Sequence, residues 1–311
     1  MQITSISIHN FRSIDDCLFH IDDYTLIIGA NNAGKSNVMD ALRIFYEKEI
    51  KYEKQRDFPK FETDDKDCWV EIEYKLTEDE YSNLKEDWKQ PDNHLRVRKY
   101  LDTTEKGKDG KPKLGIYAYD KNTEISDEHF YGAKNVQQGK LGDIVYIPAV
   151  SKLDEHTKLS GPSALREILN DILKKLVKTS ESFKHLTTEF ESFSNNIKNE
   201  KTEDKKSIMG LESDISTELE EFQRHLIFTL IRTAAKYQSP LAPGKKKEFK
   251  PELTVLIFEE PEAFLHPMQQ IMLCRSLKSI GETQGNQIFT SSHSPNFVSH
   301  NSGDLPSIVS I

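Results

Sequence analysis

Residues 29–36 combine glycines, a lysine and a serine at a spacing that suits the binding of phosphate groups. The stretch reads GANNAGKS and satisfies the Walker A pattern G-x-x-x-x-G-K-[ST], in which glycines let backbone N–H groups point inward at a phosphate. We expect Lys35 to reach the β- and γ-phosphates of a nucleotide and Ser36 to coordinate Mg²⁺. A glycine- and asparagine-rich turn before a helix is the alternative interpretation. The residues predicted to contact the nucleotide are Gly29, Asn31, Asn32, Ala33, Gly34, Lys35, Ser36 and Asn37.

Two adjacent glutamates, Glu259 and Glu260, directly follow the apolar run LTVLIF. Hydrolysis of a nucleotide needs one carboxylate to hold the Mg²⁺ shell and a second to orient and deprotonate the attacking water. Adjacent residues at the end of a strand point in different directions, so the two side chains can take different roles. We expect Glu259 to hold Mg²⁺ and Glu260 to act on the water. Two exposed acids at the start of a loop are the alternative.

A histidine, His293, follows a second apolar run within the stretch FTSSHSP. We expect it to contact the γ-phosphate and to sense hydrolysis, so that Lys35, Glu260 and His293 form the predicted catalytic set. A capped loop histidine is the alternative. The segment between the two apolar runs begins at 261–267, PEAFLHP, and is well placed to meet a second subunit.

Buried strands and amphipathic helices must position these residues. Short β-rich runs predict strands, and apolar residues at helical spacing predict helices. Strands are predicted at 2–8, 24–29, 69–76, 94–102, 113–120, 143–149, 253–258 and 286–292. Helices are predicted at 36–49 and 267–280 and through most of 162–239. This order predicts an α/β nucleotide fold with an antiparallel side sheet and a helical lobe.

The overall composition limits the partners and the compartment. The 311 residues carry a formal net charge of −9, so contact with DNA requires a local basic face or a separate domain. Candidate basic stretches lie at 106–113 and 243–250, and a solvated loop is the alternative interpretation of each. No apolar stretch of about 18 residues is present, which predicts no membrane span. Three scattered cysteines and the lack of an export signal favour the cytoplasm.

Four motifs together resemble an ABC-type ATPase of the SMC/RecF/OLD branch. They are IHNFRS at 8–13, GANNAGKSN at 29–37, IFEEPEAFLHP at 257–267 and SSHSP at 291–295. The pattern is closer to OLD-family (overcoming lysogenization defect) and Gabija-type ATPases than to transporters. The resemblance implies an ABC-type P-loop head with a mixed central sheet, an antiparallel side sheet and an inserted helical lobe. It also implies ATP and Mg²⁺ as cofactors, and heads that self-associate as a dimer or tetramer. Arg12 matches the family's N-F-R arginine and is expected to touch the nucleotide; a surface salt bridge is the alternative.

The resemblance divides the chain into three parts. Residues 1–150 form the N-terminal part of the ATPase domain, 151–240 a helical lobe or arm, and 241–311 its C-terminal part. The family carries a glycine-containing loop just before the helix QRHLIF, but this chain has Glu220 and Glu221 there, which would repel a phosphate. We therefore expect a segment to be missing near 221–223. No acidic cluster follows the motifs, so we expect the family's Toprim nuclease domain to be absent from this chain.

Three functions remain open on this sequence. The first is a Mg²⁺-dependent ATPase domain that, by resemblance, regulates a DNA endonuclease in bacterial anti-phage defence. DNA would then be bound through the whole protein, with an effector nuclease or a helicase-like protein as a possible partner. The second is an ATP sensor that hydrolyses slowly and holds a separate effector inactive. The third is a DNA-repair ATPase of the RecF/SMC kind. The presence of Glu260 and His293 favours turnover, whereas the lack of the glycine loop favours weak turnover.

Overall fold

A computed structural model describes residues 1–107, 110–148, 249, 251–263, 267–298 and 308–310. These residues belong to one compact unit, made of Met1–Ala149 and Leu241–Ile311. The helical lobe expected at 151–240, the two glutamates Glu220 and Glu221, and the segment expected to be missing near 221–223 all lie outside the described residues. The predicted three-part division stays a prediction.

The described residues form eleven strands and four α-helices. The strands are β1 (Gln2–Phe11), β2 (Ile14–His20), β3 (Tyr24–Ile28), β4 (Cys68–Lys75), β5 (His94–Asp102), β6 (Gly115–Tyr119), β7 (Ile125–His129), β8 (Asp143–Ile147), β9 (Thr254–Glu259), β10 (Asn286–Ser291) and β11 (Ile308–Ser310). The helices are α1 (Lys35–Phe45), α2 (Lys54–Asp57), α3 (Glu78–Ser82) and α4 (Pro267–Gly281).

The strands are divided between two sheets of opposite character. Six of them form an antiparallel sheet in the order β2-β1-β4-β5-β6-β7. The other five form a sheet in the order β11-β3-β10-β9-β8, which is parallel at each described pairing. The α/β architecture with an antiparallel side sheet is as predicted. All antiparallel pairings between the described strands lie in the separate six-stranded sheet.

The register of the parallel sheet brings distant residues to one edge. Ser291 at the end of β10 pairs with Glu259 at the end of β9 and with Ile27 near the end of β3. The carboxyl ends of these three adjacent strands therefore lie side by side. Open α/β sheets bind their ligands outside this edge.

Helix α1 packs its apolar face against the antiparallel sheet, and a lysine caps its far end. Val38, Leu42 and Phe45 are buried at helical spacing. The Lys99 ammonium donates to the carbonyl oxygens of Ile44 at 3.1 Å and Phe45 at 2.9 Å, at the negative end of the helix dipole. Burial lowers the pKa of Lys99, and an ion pair with Glu47 at 3.1 Å opposes that shift.

Several details of the strand and helix predictions differ from the structure, and the short helices α2 and α3 were not predicted. The helix predicted at 36–49 ends at Phe45, because Glu47 and Glu49 adopt left-handed backbone angles with φ of 56° and 61°. Strands β2 and β7 were not predicted, because they alternate little and are largely exposed, so they lack the apolar period that marks a strand. No helix in the described part of the chain is long and apolar enough to cross a membrane.

Candidate active site

The loop between β3 and α1 curves back on itself at the carboxyl edge of the parallel sheet. Gly34 precedes the first turn of α1 with φ 113° and ψ 2°, a left-handed conformation that favours glycine. Its carbonyl oxygen accepts hydrogen bonds from the backbone N–H groups of Asn37 at 2.9 Å and Val38 at 3.1 Å. Asn32 in the loop also has a positive φ of 64°. Strand, curved loop and helix N-terminus thus follow one another as phosphate binding requires.

The lysine of the loop lies inside the loop's own curve. The Lys35 ammonium is buried and donates to the carbonyl oxygens of Gly29 at 3.0 Å and Ala30 at 2.9 Å. Carbonyl groups are neutral acceptors, whereas phosphate oxygens are charged and form stronger hydrogen bonds with an ammonium. The position of Lys35 therefore suits an exchange of carbonyl contacts for phosphate contacts.

A serine hydroxyl and a carboxylate meet where α1 faces the end of β9. The Ser36 hydroxyl donates to Oε1 of Glu259 at 2.7 Å, across a sequence separation of 223 residues. Tyr146 on β8 donates its hydroxyl to Oε2 of the same carboxylate. Burial is the main cause of the raised pKa of Tyr146, and the hydrogen bond to Glu259 raises this pKa further. The hydroxyl therefore stays protonated and acts as the donor. Both carboxylate oxygens of Glu259 are thereby fixed in direction.

The donor atoms of this pair fit Mg²⁺. Magnesium prefers oxygen ligands and is bound in nucleotide sites through one or two protein ligands together with substrate phosphates. Ser36 and Glu259 supply a hydroxyl and a carboxylate that are already in contact. Among the described residues no group of three or more His, Cys, Asp or Glu side chains is placed to hold a metal ion.

The neighbouring Glu260 faces a different environment from Glu259. Its backbone is left-handed with φ 45°, and its N–H donates to the Ser291 carbonyl oxygen at 3.1 Å. A non-glycine residue in this conformation is strained and is held there by its surroundings. The turn leaves Glu259 buried at 6% exposure, whereas the Glu260 side chain is 42% exposed. Oε1 of Glu260 lies 3.2 Å from Nε2 of His293, so carboxylate and imidazole meet where water has access.

The guanidinium of Arg12 joins two carboxylates beside α1. It donates to Asp57 at 2.9 Å, to Asp40 at 2.7 Å and to the Asn37 side-chain oxygen at 3.2 Å. The salt bridges of the alternative interpretation are therefore present. Because Asn37 borders the phosphate loop, Arg12 also lies near that loop, and its contact with a nucleotide stays a prediction.

The buried carboxylate of Asp57 makes the folded chain sensitive to acid. Burial alone would raise the pKa of Asp57, but hydrogen bonds from Arg56, the Glu53 backbone and Arg12 hold this pKa below its ordinary value. A lowered pKa in the folded chain stabilises it above about pH 4, and this contribution is lost as the pH falls through the folded-state pKa. We expect Asp57→Asn to lower the free energy of unfolding by about 1–3 kcal/mol at pH 7.

Urea unfolding of the wild type and Asp57→Asn across pH measures this effect. The difference between the two proteins is expected to be largest at neutral pH and to shrink below about pH 4. Other carboxylates with lowered pKa values, Asp65, Glu73 and Glu80, contribute equally to both curves and cancel in the difference. A difference independent of pH would contradict the role given to the Asp57 charge.

The structure adds contacts to the site that the sequence did not predict. Tyr146 reaches Glu259 because β8 pairs with β9. Glu262, in the loop after β9, binds Ser292 and the backbone of His293. A polar residue near the end of a buried strand is the one signal that the sequence offers for Tyr146.

Comparisons with known proteins bear on the fold and the family. The model of a family described as AAA ATPase domain matches residues 1–138 and 147–298. Endonuclease GajA of Bacillus cereus (strain VD045) is 23% identical over 337 residues, which cover 95% of this chain and 56% of that protein. The chain thus spans a little over half the length of this relative.

A solved structure of an SMC head resembles the chain in fold, and a second SMC head gives a weaker match. The SMC head in complex with the C-winged helix domain of ScpA matches with a TM-score of 0.53 and 14% identity, over 96% of this chain and 91% of that one. An SMC head domain from Thermotoga maritima matches with a TM-score of 0.42 and 15% identity, over 96% and 91% of the two chains. The first of these likenesses supports the α/β fold of an ATPase head.

Proposed function

Because the chain belongs to the family of AAA ATPase domains, we propose that it hydrolyses ATP with Mg²⁺ at the edge formed by β3, β9 and β10. The chain also resembles OLD- and Gabija-type, ABC-like ATPases. The contact between Ser36 and Glu259 carries the proposal, because it joins the phosphate loop to the acidic strand end at 2.7 Å. A hydroxyl and a carboxylate far apart in sequence then share one metal-binding position.

The phosphate groups of ATP are held by the loop and by the start of α1. Backbone N–H groups of the loop and the positive end of the helix dipole attract the phosphates. The Lys35 ammonium moves from the carbonyl oxygens of Gly29 and Ala30 to the β- and γ-phosphate oxygens. Ser36 and Glu259 would hold Mg²⁺, which would neutralise part of the phosphate charge when bound.

Hydrolysis uses the exposed carboxylate beside the metal position. A water molecule next to Glu260 attacks the γ-phosphorus, the bond from that phosphorus to the bridging oxygen breaks, and ADP leaves with the electron pair. Glu260 accepts the proton that the water releases. His293, whose Nε2 lies 3.2 Å from Glu260, orients the carboxylate and contacts the γ-phosphate.

The hydroxyl of Tyr146 is expected to matter for Mg²⁺ rather than for ATP. Groups that orient a metal ligand typically change metal affinity 10- to 100-fold when they are removed. Tyr146→Phe deletes the donor to Oε2 of Glu259. We expect the Mg²⁺ concentration needed for half-maximal thermal stabilisation by ATP to rise about tenfold.

Tyr74→Phe is the matched control for this measurement. Its hydroxyl is also buried and contacts the Tyr46 hydroxyl at 2.9 Å, away from Glu259. The control is expected to keep the wild-type Mg²⁺ requirement. An unchanged requirement in Tyr146→Phe, with ATP binding intact, would remove the proposed link between Tyr146 and the metal.

At the level of the whole protein we propose that ATP turnover regulates a DNA endonuclease in bacterial anti-phage defence. The support is the likeness to GajA, which is named an endonuclease and extends well beyond the matched region. Heads that pair around ATP as a dimer or tetramer would couple hydrolysis to that activity. DNA is then bound by the whole protein, together with a nuclease or helicase-like partner.

Phosphate release from ATP by the purified chain tests the proposed function. We expect turnover that requires Mg²⁺ and that stops when EDTA is added. ATP that binds but stays intact would instead support the ATP-sensor alternative. Failure to bind ATP at all would overturn both.

A further inference from the structure

A buried carboxylate, Glu262, holds the loop after β10 to the loop after β9. Its side chain is 7% exposed and lies two residues beyond Glu260. Oε1 of Glu262 accepts hydrogen bonds from the Ser292 hydroxyl at 2.7 Å and from the His293 backbone N–H at 2.8 Å. One oxygen atom therefore fixes the main chain at the residue whose imidazole meets Glu260.

Helix α4 completes this attachment through Gln270. Its amide nitrogen donates to the Glu262 carbonyl oxygen at 3.4 Å. Its amide oxygen accepts from the Ser294 hydroxyl at 2.6 Å and from the Asn296 side chain at 2.8 Å. The segment after β10 is thus held on both sides of His293.

The second oxygen of Glu262 makes no contact of this kind in the described part of the chain. Oε2 is buried and has no hydrogen-bond partner within the described residues. A buried, half-satisfied carboxylate costs free energy, since desolvation of a charged group is compensated only by hydrogen bonds. Both hydrogen bonds that the described residues give to the Glu262 side chain go to Oε1, one from the Ser292 hydroxyl and one from the backbone N–H of His293, the residue that meets Glu260.

We propose that Glu262 is a positioning residue for ATP hydrolysis, which holds the His293 backbone so that the imidazole stays against Glu260. The inference rests on the proposed function, since it assumes that Glu260 and His293 act on the attacking water. His293 is held by both glutamates. Its imidazole Nε2 lies 3.2 Å from Oε1 of Glu260, and its backbone N–H donates to Oε1 of Glu262 at 2.8 Å. Displacements of about 1 Å in such a constellation cost about 100-fold in rate.

Steady-state kinetics combined with separate measurement of ATP affinity test the inference. Glu262→Ala is expected to lower kcat about 10- to 100-fold. The Kd for ATP is expected to stay within about twofold, because Lys35 and Ser36 follow β3, whereas Glu262 follows β9. Glu262→Gln keeps an oxygen acceptor at the same reach, so it is expected to recover most of the lost kcat. A loss of kcat that Gln does not recover, or a parallel loss of ATP affinity, would overturn the positioning role.

A double-mutant cycle with His293→Ala shows whether Glu262 acts through His293. We expect the two substitutions to be far from additive, so that Glu262→Ala costs little further kcat once the imidazole is gone. Additive losses would overturn the inference and leave the proposed function intact. If His293→Ala alone kept wild-type kcat, the proposed role of His293 would fail, and the inference with it.

A milder variant guards against a failure of Glu262→Ala to fold. Ser292→Ala removes one of the two donors to Oε1 and leaves the His293 N–H in place. We expect kcat to fall about two- to fivefold, which corresponds to the loss of one hydrogen bond, and the ATP affinity to stay unchanged. Wild-type kcat in a folded Ser292→Ala protein would overturn the inference.

Discussion

Lys35→Ala is expected to raise the Kd for ATP at least about 100-fold, so that binding is no longer detected at ordinary concentrations. An ammonium makes charge-assisted hydrogen bonds of about 1.5–3 kcal/mol each, and Lys35 is placed to make two with the phosphates in place of its bonds to Gly29 and Ala30. Alanine removes both bonds and the positive charge from the loop. Isothermal titration calorimetry with ATP and Mg²⁺ measures the change.

A folded variant is needed for this result to be informative. In the free protein the carbonyl oxygens of Gly29 and Ala30 lose their lysine donor, so thermal unfolding of Lys35→Ala must be recorded alongside binding. Lys54→Ala is the matched control, because the Lys54 side chain is 63% exposed and pairs with Asp102 instead of the loop. Wild-type affinity in Lys35→Ala would rule out the loop as the nucleotide site.

Glu260→Gln is expected to bind ATP normally and to hydrolyse it about 100- to 10,000-fold more slowly. Glutamine keeps the size and the hydrogen-bonding oxygen of the side chain, but it cannot accept the proton of the attacking water, and general-base catalysis contributes rate factors of this order. The left-handed backbone at residue 260, with φ 45°, is equally strained for both side chains, so the exchange leaves the local fold unchanged.

A second consequence of Glu260→Gln concerns assembly. If heads pair around ATP, a variant that binds ATP without hydrolysing it traps the paired state, which light scattering detects as a mass that increases on addition of ATP. Glu86→Gln, at a side chain that is 86% exposed, is the control for the loss of one negative charge. Hydrolysis by Glu260→Gln at the wild-type rate would show that another group accepts the proton.

The parts of the site that depend on local sequence were predictable. The run of buried residues in β3, the glycine loop and the apolar period of α1 lie in one continuous stretch, and each leaves its own pattern. The different directions of the Glu259 and Glu260 side chains were expected from their place at a strand end. In the structure, the left-handed backbone at Glu260 turns the second side chain away from the first.

The contacts that depend on strand order were not predictable. Tyr146 reaches Glu259 only because β8 lies beside β9, and Glu262 reaches Ser292 only because β9 lies beside β10. No periodicity within a single element encodes which strands are neighbours. The same limit applies to Arg12, whose partners Asp40 and Asp57 come from two different helices.

A crystal structure of Glu260→Gln with ATP and Mg²⁺ tests the central claim most directly. We predict Mg²⁺ bound by the Ser36 hydroxyl and by Glu259, directly or through water, and the Lys35 ammonium on the β- and γ-phosphate oxygens. We also predict a water molecule between the substituted side chain at position 260 and the γ-phosphorus. ATP bound elsewhere, or bound here with Lys35 still on the carbonyl oxygens of Gly29 and Ala30, would contradict the account.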